Sequence, residues 1–142
     1  MRLKRRDSIN NIFVNKAGST DWQVHSEVRI SDGANPKLSW RFLVDGFQHD
    51  NEGMSMGCLR WPLGQSLPLH HHEEQETYFI LSGIGEILMS GSECKSVTGG
   101  DSIYIPNYVP HGLKNTGDTD LMFLWVFPTD SWNDVRYNRL GK

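Results

Sequence analysis

Turn signals recur so closely along this chain that no stretch between them is long or regular enough to carry a helical period. Fourteen glycines and six prolines set the spacing, and the residues between them alternate instead. Residues 38–44 put Trp40, Phe42 and Val44 on one face and Ser39, Arg41 and Leu43 on the other, as the two-residue period of a strand requires. Further strands are expected over 54–61, 76–82, 86–90, 93–98, 102–105 and 111–115. Residues 121–127 are apolar on both faces, as in a strand covered on both sides. Turns fall at Asp45-Gly46, Gly83-Ile84-Gly85, Gly91-Ser92, Gly99-Gly100-Asp101 and Thr116-Gly117-Asp118. Residues 22–30 alternate only in part and are read as a strand ahead of the turn cluster at 31–36. A short helix or edge strand is expected over 9–14, and a short helical turn after Pro128. Many short strands with frequent turns predict an all-β sandwich or barrel. The expected organisation is an N-terminal arm, residues 1–21, and one β-barrel domain, residues 22–142.

One segment carries chemistry as well as fold. Residues 64–83 place His70, His71, His72 and Glu76 within seven residues, and these three histidines are half of the six in the chain. In a strand, His70 and His72 share a face and His71 takes the other. Glu76, Tyr78 and Ile80 form a second such series beyond the polar break Glu73-Glu74-Gln75. Two strands joined at that break aim His70, His72 and Glu76 at one point. Mixed imidazole and carboxylate donors there suit a divalent transition metal. Taken alone, the run is also what a solvated loop would carry.

Composition narrows the function classes. With 14 basic and 17 acidic residues the formal net charge is -3, and no basic footprint for nucleic acid is present; Lys4-Arg5-Arg6 reads as a solvated end. Cys58 and Cys94 form no close pair and define no disulfide framework, so a reducing compartment is expected. No apolar run reaches the length of a membrane span or a secretory leader. The expectation is a soluble cytoplasmic protein.

A second constellation supplies another imidazole. Residues 100–115 run Gly-Asp-Ser-Ile-Tyr-Ile-Pro-Asn-Tyr-Val-Pro-His-Gly-Leu-Lys-Asn, with His111 at the start of a strand. The two segments resemble the paired motifs of the cupin family. Gly64, His70, His72, Glu76 and Gly83 fill G-x5-H-x-H-x3-E-x6-G, and Gly100, Pro106, His111 and Asn115 fit G-x5-P-x-G-x2-H-x3-N. Tyr108 stands where the second pattern has glycine, and Asn107 beside it is the residue expected to tolerate left-handed geometry. The resemblance implies a double-stranded β-helix, a homodimer, and one metal (Fe, Mn, Ni or Zn) bound by His70, His72, Glu76 and His111. Over residues 36–137 the chain is further similar to small cupin-type dimethylsulfoniopropionate lyases. That likeness rests on residues 40–45, 54–57, 124–130 and 135–137, and it implies roles for Tyr78 and Tyr137.

Three imidazoles and one carboxylate leave coordination positions open, the mark of a reactive site. A substrate carboxylate drawn there acidifies its α-proton. Tyr78 shares strand parity with Glu76 and is the expected base. A sulfonium leaving group needs aromatic faces, for which Trp40, Tyr104 and Trp125 are the candidates. The same donors suit an iron dioxygenase, a sugar or uronate isomerase with Arg41 or Arg60 pairing the carboxylate, or a binding module with a structural metal. The residues alone leave these open.

Overall fold

The structure, a computed structural model, describes residues 12–18, 22–31 and 36–140. Its strands are β1 (Gln23–Val24), β2 (Ser39–Val44), β3 (Ser55–Trp61), β4 (Ser66–His71), β5 (Glu76–Ser82), β6 (Ile84–Leu88), β7 (Cys94–Thr98), β8 (Ser102–Ile105), β9 (His111–Asn115), β10 (Leu121–Phe127) and β11 (Asn138–Arg139). One sheet has the order β1-β2-β3-β10-β5-β8 and the other β11-β4-β9-β6-β7. Every pairing is antiparallel. The sheets close into a β-barrel around Phe42, Trp61, Ile80, Leu113, Phe123 and Phe127, all buried. Truncating such a residue to alanine typically costs about 2–5 kcal/mol. No described helix is long and apolar enough to cross a membrane.

Most turns and strands fall where the alternation puts them, and the departures have physical causes. Residues 22–30 are not one strand. After β1 the chain forms a short helix, α1 (Glu27–Ser31), with acidic Glu27 in its first turn, where the helix dipole favours it. Val24 and Val28 stay exposed, so this alternation has no sheet face to bury against. Residues 121–127 are not covered equally on both sides. β10 lies between β3 and β5, with Leu121, Phe123, Trp125 and Phe127 buried and Met122, Leu124 and Val126 only half-buried. Gly83 alone makes the turn into β6, which begins at Ile84.

In β2 the register shifts between Phe42, opposite Gly57, and Val44, opposite Met56. This bulge removes Val44 from the face of Trp40 and Phe42. The Asn15 side-chain amide donates to the carbonyls of Phe42 and Leu43, both at 3.2 Å, and Phe13 stacks on His49 at 4.0 Å. Of the 9–14 segment, residues 9–11 lie outside the described residues, and 12–14 have no regular structure.

β11 was not evident in the sequence. Its two residues pair with His70 and His71 of β4, which brings the C-terminal segment over the barrel mouth. The loop after β2 holds that segment in place. The buried Asp45 carboxylate accepts from the Phe47 and Trp132 backbone N–H groups at 3.1 and 3.0 Å. The Asp130 carbonyl accepts from Gly46 N–H and from the Asn51 side chain.

Candidate metal centre

β4 and β9 present two of the histidines through an irregular ladder. Leu67 pairs with Leu113, but the next aligned pair is His70 with His111, so β4 carries one residue more than β9. This bulge lets Leu67 and His70 face the interior together although they are three apart. Without it, the inward set would be Leu67, Leu69 and His71. The bulge lies directly against Gly112: a Cβ there would sit 2.5 Å from the Leu67 carbonyl oxygen, 3.2 Å from Pro68 C and 3.3 Å from Leu69 N. Gly112 therefore allows β4 to pass. Sequence reasoning missed it; its place directly after His111 was the available signal.

His72 lies just beyond β4, and Glu76 opens β5. All four residues are at most 4% exposed. One ligating nitrogen from each of His70, His72 and His111 lies within 4.8 Å of the others. Glu76 Oε1 lies 3.2 Å from His72 Nε2 and 3.4 Å from His111 Nε2. Each ring is oriented through its other nitrogen. His70 Nδ1 meets the Pro68 carbonyl at 3.0 Å, His72 Nδ1 the Glu74 carbonyl at 2.8 Å, and His111 Nδ1 the Val109 carbonyl at 2.8 Å. A carbonyl only accepts, so each Nδ1 carries the proton and each Nε2 keeps its lone pair. His72 Nε2, His111 Nε2 and Glu76 Oε1 are buried without a hydrogen-bond partner. Such orphaned acceptors are costly unless something positive satisfies them. The donor set fits a divalent metal.

The electrostatics agree. Burial pulls His70 down to about 4, against a smaller opposing effect of the Pro68 carbonyl, so it is neutral at pH 7, as a ligand must be. For His72, burial lowers the pKa, but the adjacent Glu76 carboxylate and the Glu74 carbonyl together outweigh it and leave the ring raised. Glu76 thus draws positive charge to this point.

The centre opens onto a cavity of about 470 Å³. His70, Glu76, Tyr78, Trp40, Trp61, Trp125, Trp132, Tyr137 and Arg139 all line it. Tyr78 is buried, and burial, then the adjacent Glu76 charge, push its phenol well above the ordinary value. Tyr137 keeps 45% of its surface exposed, yet its ring lies 5.5 Å from that of His70 and 5.4 Å from that of His72. Its hydroxyl accepts from Trp132 Nε1 at 2.7 Å. Burial and Glu76 raise its pKa, and the Trp132 bond offsets a part.

Of the three expected aromatic wall residues, Trp40 and Trp125 line this cavity and Tyr104 does not. Tyr104 pairs with Thr77 on the far face of the sheet, bonds Gln75 Oε1 at 2.7 Å, and borders a different hollow of about 690 Å³ beside β7 and β8. Trp125 lies flat across Gly57, filling the space a Cβ would take. Trp132, not foreseen, contacts Trp40, Phe42, Trp125 and Tyr137. Arg41 and Arg60 are not carboxylate partners in this cavity. They share the opposite face of β2 and β3 with Cys58, and their guanidinium groups lie 5.5 and 4.0 Å from the Trp22 ring centroid.

The second motif's departure from glycine also has a definite geometry. Tyr108 itself, not Asn107, takes the left-handed conformation, at φ 64°, and its N–H donates to the His72 carbonyl at 2.9 Å. That conformation costs a residue with a Cβ roughly 1–2 kcal/mol. Tyr108→Gly is expected to raise stability by about 0.5–1 kcal/mol once glycine's extra chain entropy is subtracted. A urea melt checks it; a lower midpoint at unchanged slope contradicts it.

The comparisons with known proteins meet this geometry. The cupin domain pattern matches residues 59–127, the span from β3 through β10. An oxalate-binding protein of Thermotoga maritima is 36% identical over 101 residues, 69% of this chain and 83% of its own. The chain belongs to the cupin family. This cupin is also 28% identical over 113 residues to the dimethylsulfoniopropionate lyase DddW of Ruegeria pomeroyi, covering 78% of the chain and 73% of that enzyme. To the lyase DddQ of the same organism it is 36% identical over 125 residues, 87% of the chain but 62% of that longer protein. Among solved structures, the polyketide cyclase RemF from Streptomyces resistomycificus superposes with a TM-score of 0.75 at 17% identity, over 93% of this chain and 87% of its own. At that identity the likeness concerns the fold alone.

Proposed function

We propose that this cupin is a cytoplasmic metal-dependent lyase that cleaves a small carboxylate by β-elimination, with dimethylsulfoniopropionate as substrate and dimethyl sulfide and acrylate as products. One observation carries the reading: the orphaned donors of His72, Glu76 and His111 adjoin a cavity that also holds a buried phenol, Tyr78, and four indoles. The identity to DddW and DddQ supports the choice of substrate.

His70, His72, Glu76 and His111 would hold the metal. When bound, it supplies positive charge that polarises a substrate carboxylate and lowers the pKa of a neighbouring phenol. The chain supplies the rest. Trp40, Trp125 and Trp132 offer faces to the sulfonium, a cation that would otherwise be drawn to Glu76. Tyr78, as phenolate, takes the α-proton. The electron pair of that C–H bond becomes the new C=C bond, the Cβ–S bond breaks, and its pair leaves on sulfur as neutral sulfide. Tyr137, bonded to Trp132, closes the mouth and limits water.

The test is headspace dimethyl sulfide and acrylate formation by the purified protein loaded separately with Mn, Fe, Ni and Zn. Release with at least one metal is expected; none with any of the four overturns the reading. Tyr78→Phe is expected to keep its metal and lose at least about 100-fold in turnover, and unchanged turnover removes Tyr78 from the mechanism. A second reading, a module that binds a small dicarboxylate without turnover, is favoured by the Thermotoga relative. Tight oxalate binding by calorimetry, with no product from any carboxylate, would select it.

A further inference from the structure

We infer that Arg139 is the carboxylate-recognising residue of the cavity, placed at its mouth by β11. The side chain's direction follows from the strand pairing. Arg139 stands directly opposite His70 in the antiparallel β11–β4 pair, and directly opposed residues point to the same face. Tyr137, two residues earlier, has the same parity and reaches the rings of His70 and His72. Arg139 is exposed and lines the cavity with His70, Glu76 and Tyr137.

The charge pattern is simple. Of the described residues lining this cavity, Glu76, which is buried, is the one carboxylate, and Arg139, which is exposed, is the one guanidinium. No carboxylate among the described residues pairs with Arg139. An arginine beside a cavity, with no anion partner among the described residues, is suited to recognise planar oxyanions through paired N–H donors. A ligand with a carboxylate at one end and an apolar or cationic group at the other is therefore oriented. Its carboxylate lies on the His70–Arg139 side and its other end lies against the indoles. A second cation at the carboxylate end is repelled. The chemical class is a short monocarboxylate, zwitterionic or with an apolar tail, and β11 sets which end enters first. This deepens the lyase reading and takes from it only the identity of the carboxylate.

The test uses the metal-loaded full chain with acrylate and propionamide as probes, read by quenching of the cavity tryptophans and by calorimetry. Arg139→Gln is expected to weaken acrylate binding about tenfold and to raise KM for dimethylsulfoniopropionate in step. kcat should change far less than KM, and metal content and propionamide affinity should stay the same. Arg139→Lys, which keeps the charge and loses the fork, should recover part of the loss. Acrylate affinity in Arg139→Gln equal to that of the unaltered protein overturns the assignment. So does an equal loss of propionamide affinity, because recognition then lies in shape and not in charge. Arg139-dependent acrylate binding with no sulfide from any metal form leaves this site standing and removes the lyase reading. Sulfide release at unchanged KM in Arg139→Gln does the reverse.

Discussion

Replacing His111 with alanine is expected to strip the centre of its divalent metal while the barrel stays folded. His111 opens β9, is 2% exposed, and reaches Glu76 Oε1 through an unpartnered Nε2 held in place by the Val109 carbonyl. It belongs to the second motif, whereas His70, His72 and Glu76 belong to the first. Its loss therefore breaks the convergence of two distant segments. Removing a group that merely orients a ligand costs roughly 10–100-fold in metal affinity, so removing the ligand itself should exceed about 100-fold. The barrel tolerates the change because the neighbouring Leu113, which is fully buried, and the β9 ladder to β6 and β4 are untouched. Elemental analysis after dialysis against a weak chelator checks the metal, and far-UV circular dichroism with a thermal melt checks the fold. Full metal occupancy in the variant would show that His111 is not a ligand. A loss of metal that merely follows unfolding would show the site to be structural.

Gly112→Ala is expected to be a strongly damaging single-methyl change beside the metal centre. The three nearest atoms to the new Cβ are all backbone: Leu67 O, Pro68 C and Leu69 N. No side chain can swing aside, so either β9 withdraws or the β4 bulge shifts. Overpacking of this kind costs about 3 kcal/mol, or about 10 °C in Tm for a chain of this size. Because the bulge turns His70 inward, the same change should weaken metal binding more than tenfold. Gly117→Ala is the control: its Cβ meets Ile84 at 3.4 Å or more, an ordinary contact, and the expected effect is under about 0.5 kcal/mol. Equal melting points for the two variants would refute the argument. So would full metal affinity in Gly112→Ala.

Much of this arrangement was readable because strands have a period of two. In β5 the inward series Glu76, Tyr78 and Ile80 is buried, as the alternation requires. The glycines at 64, 83 and 100 that bound the two motifs all adopt positive φ. Asn115, the last residue of the second motif, ties its turn together. Its amide donates to the Trp61 and Thr119 carbonyls, and its oxygen accepts from Gly117 N–H. Arg41 shows where the pattern runs out. It lies on one strand with Trp40, and no local rule tells which of the two faces the cavity.

From its sequence alone, then, this protein determined an all-β barrel with two histidine-bearing motifs, and which residues within each regular strand share a face. Only the tertiary structure decided that Leu67 and His70 face the interior together, because the β4 bulge breaks the two-residue period and a single backbone approach at Gly112 permits it. It alone brought Trp132, Tyr137 and Arg139 over the mouth, because β11 is two residues long and carries no periodicity of its own. Its position comes from pairing with β4 and from the Asp45 and Asp130 hydrogen bonds, contacts between segments far apart in the chain.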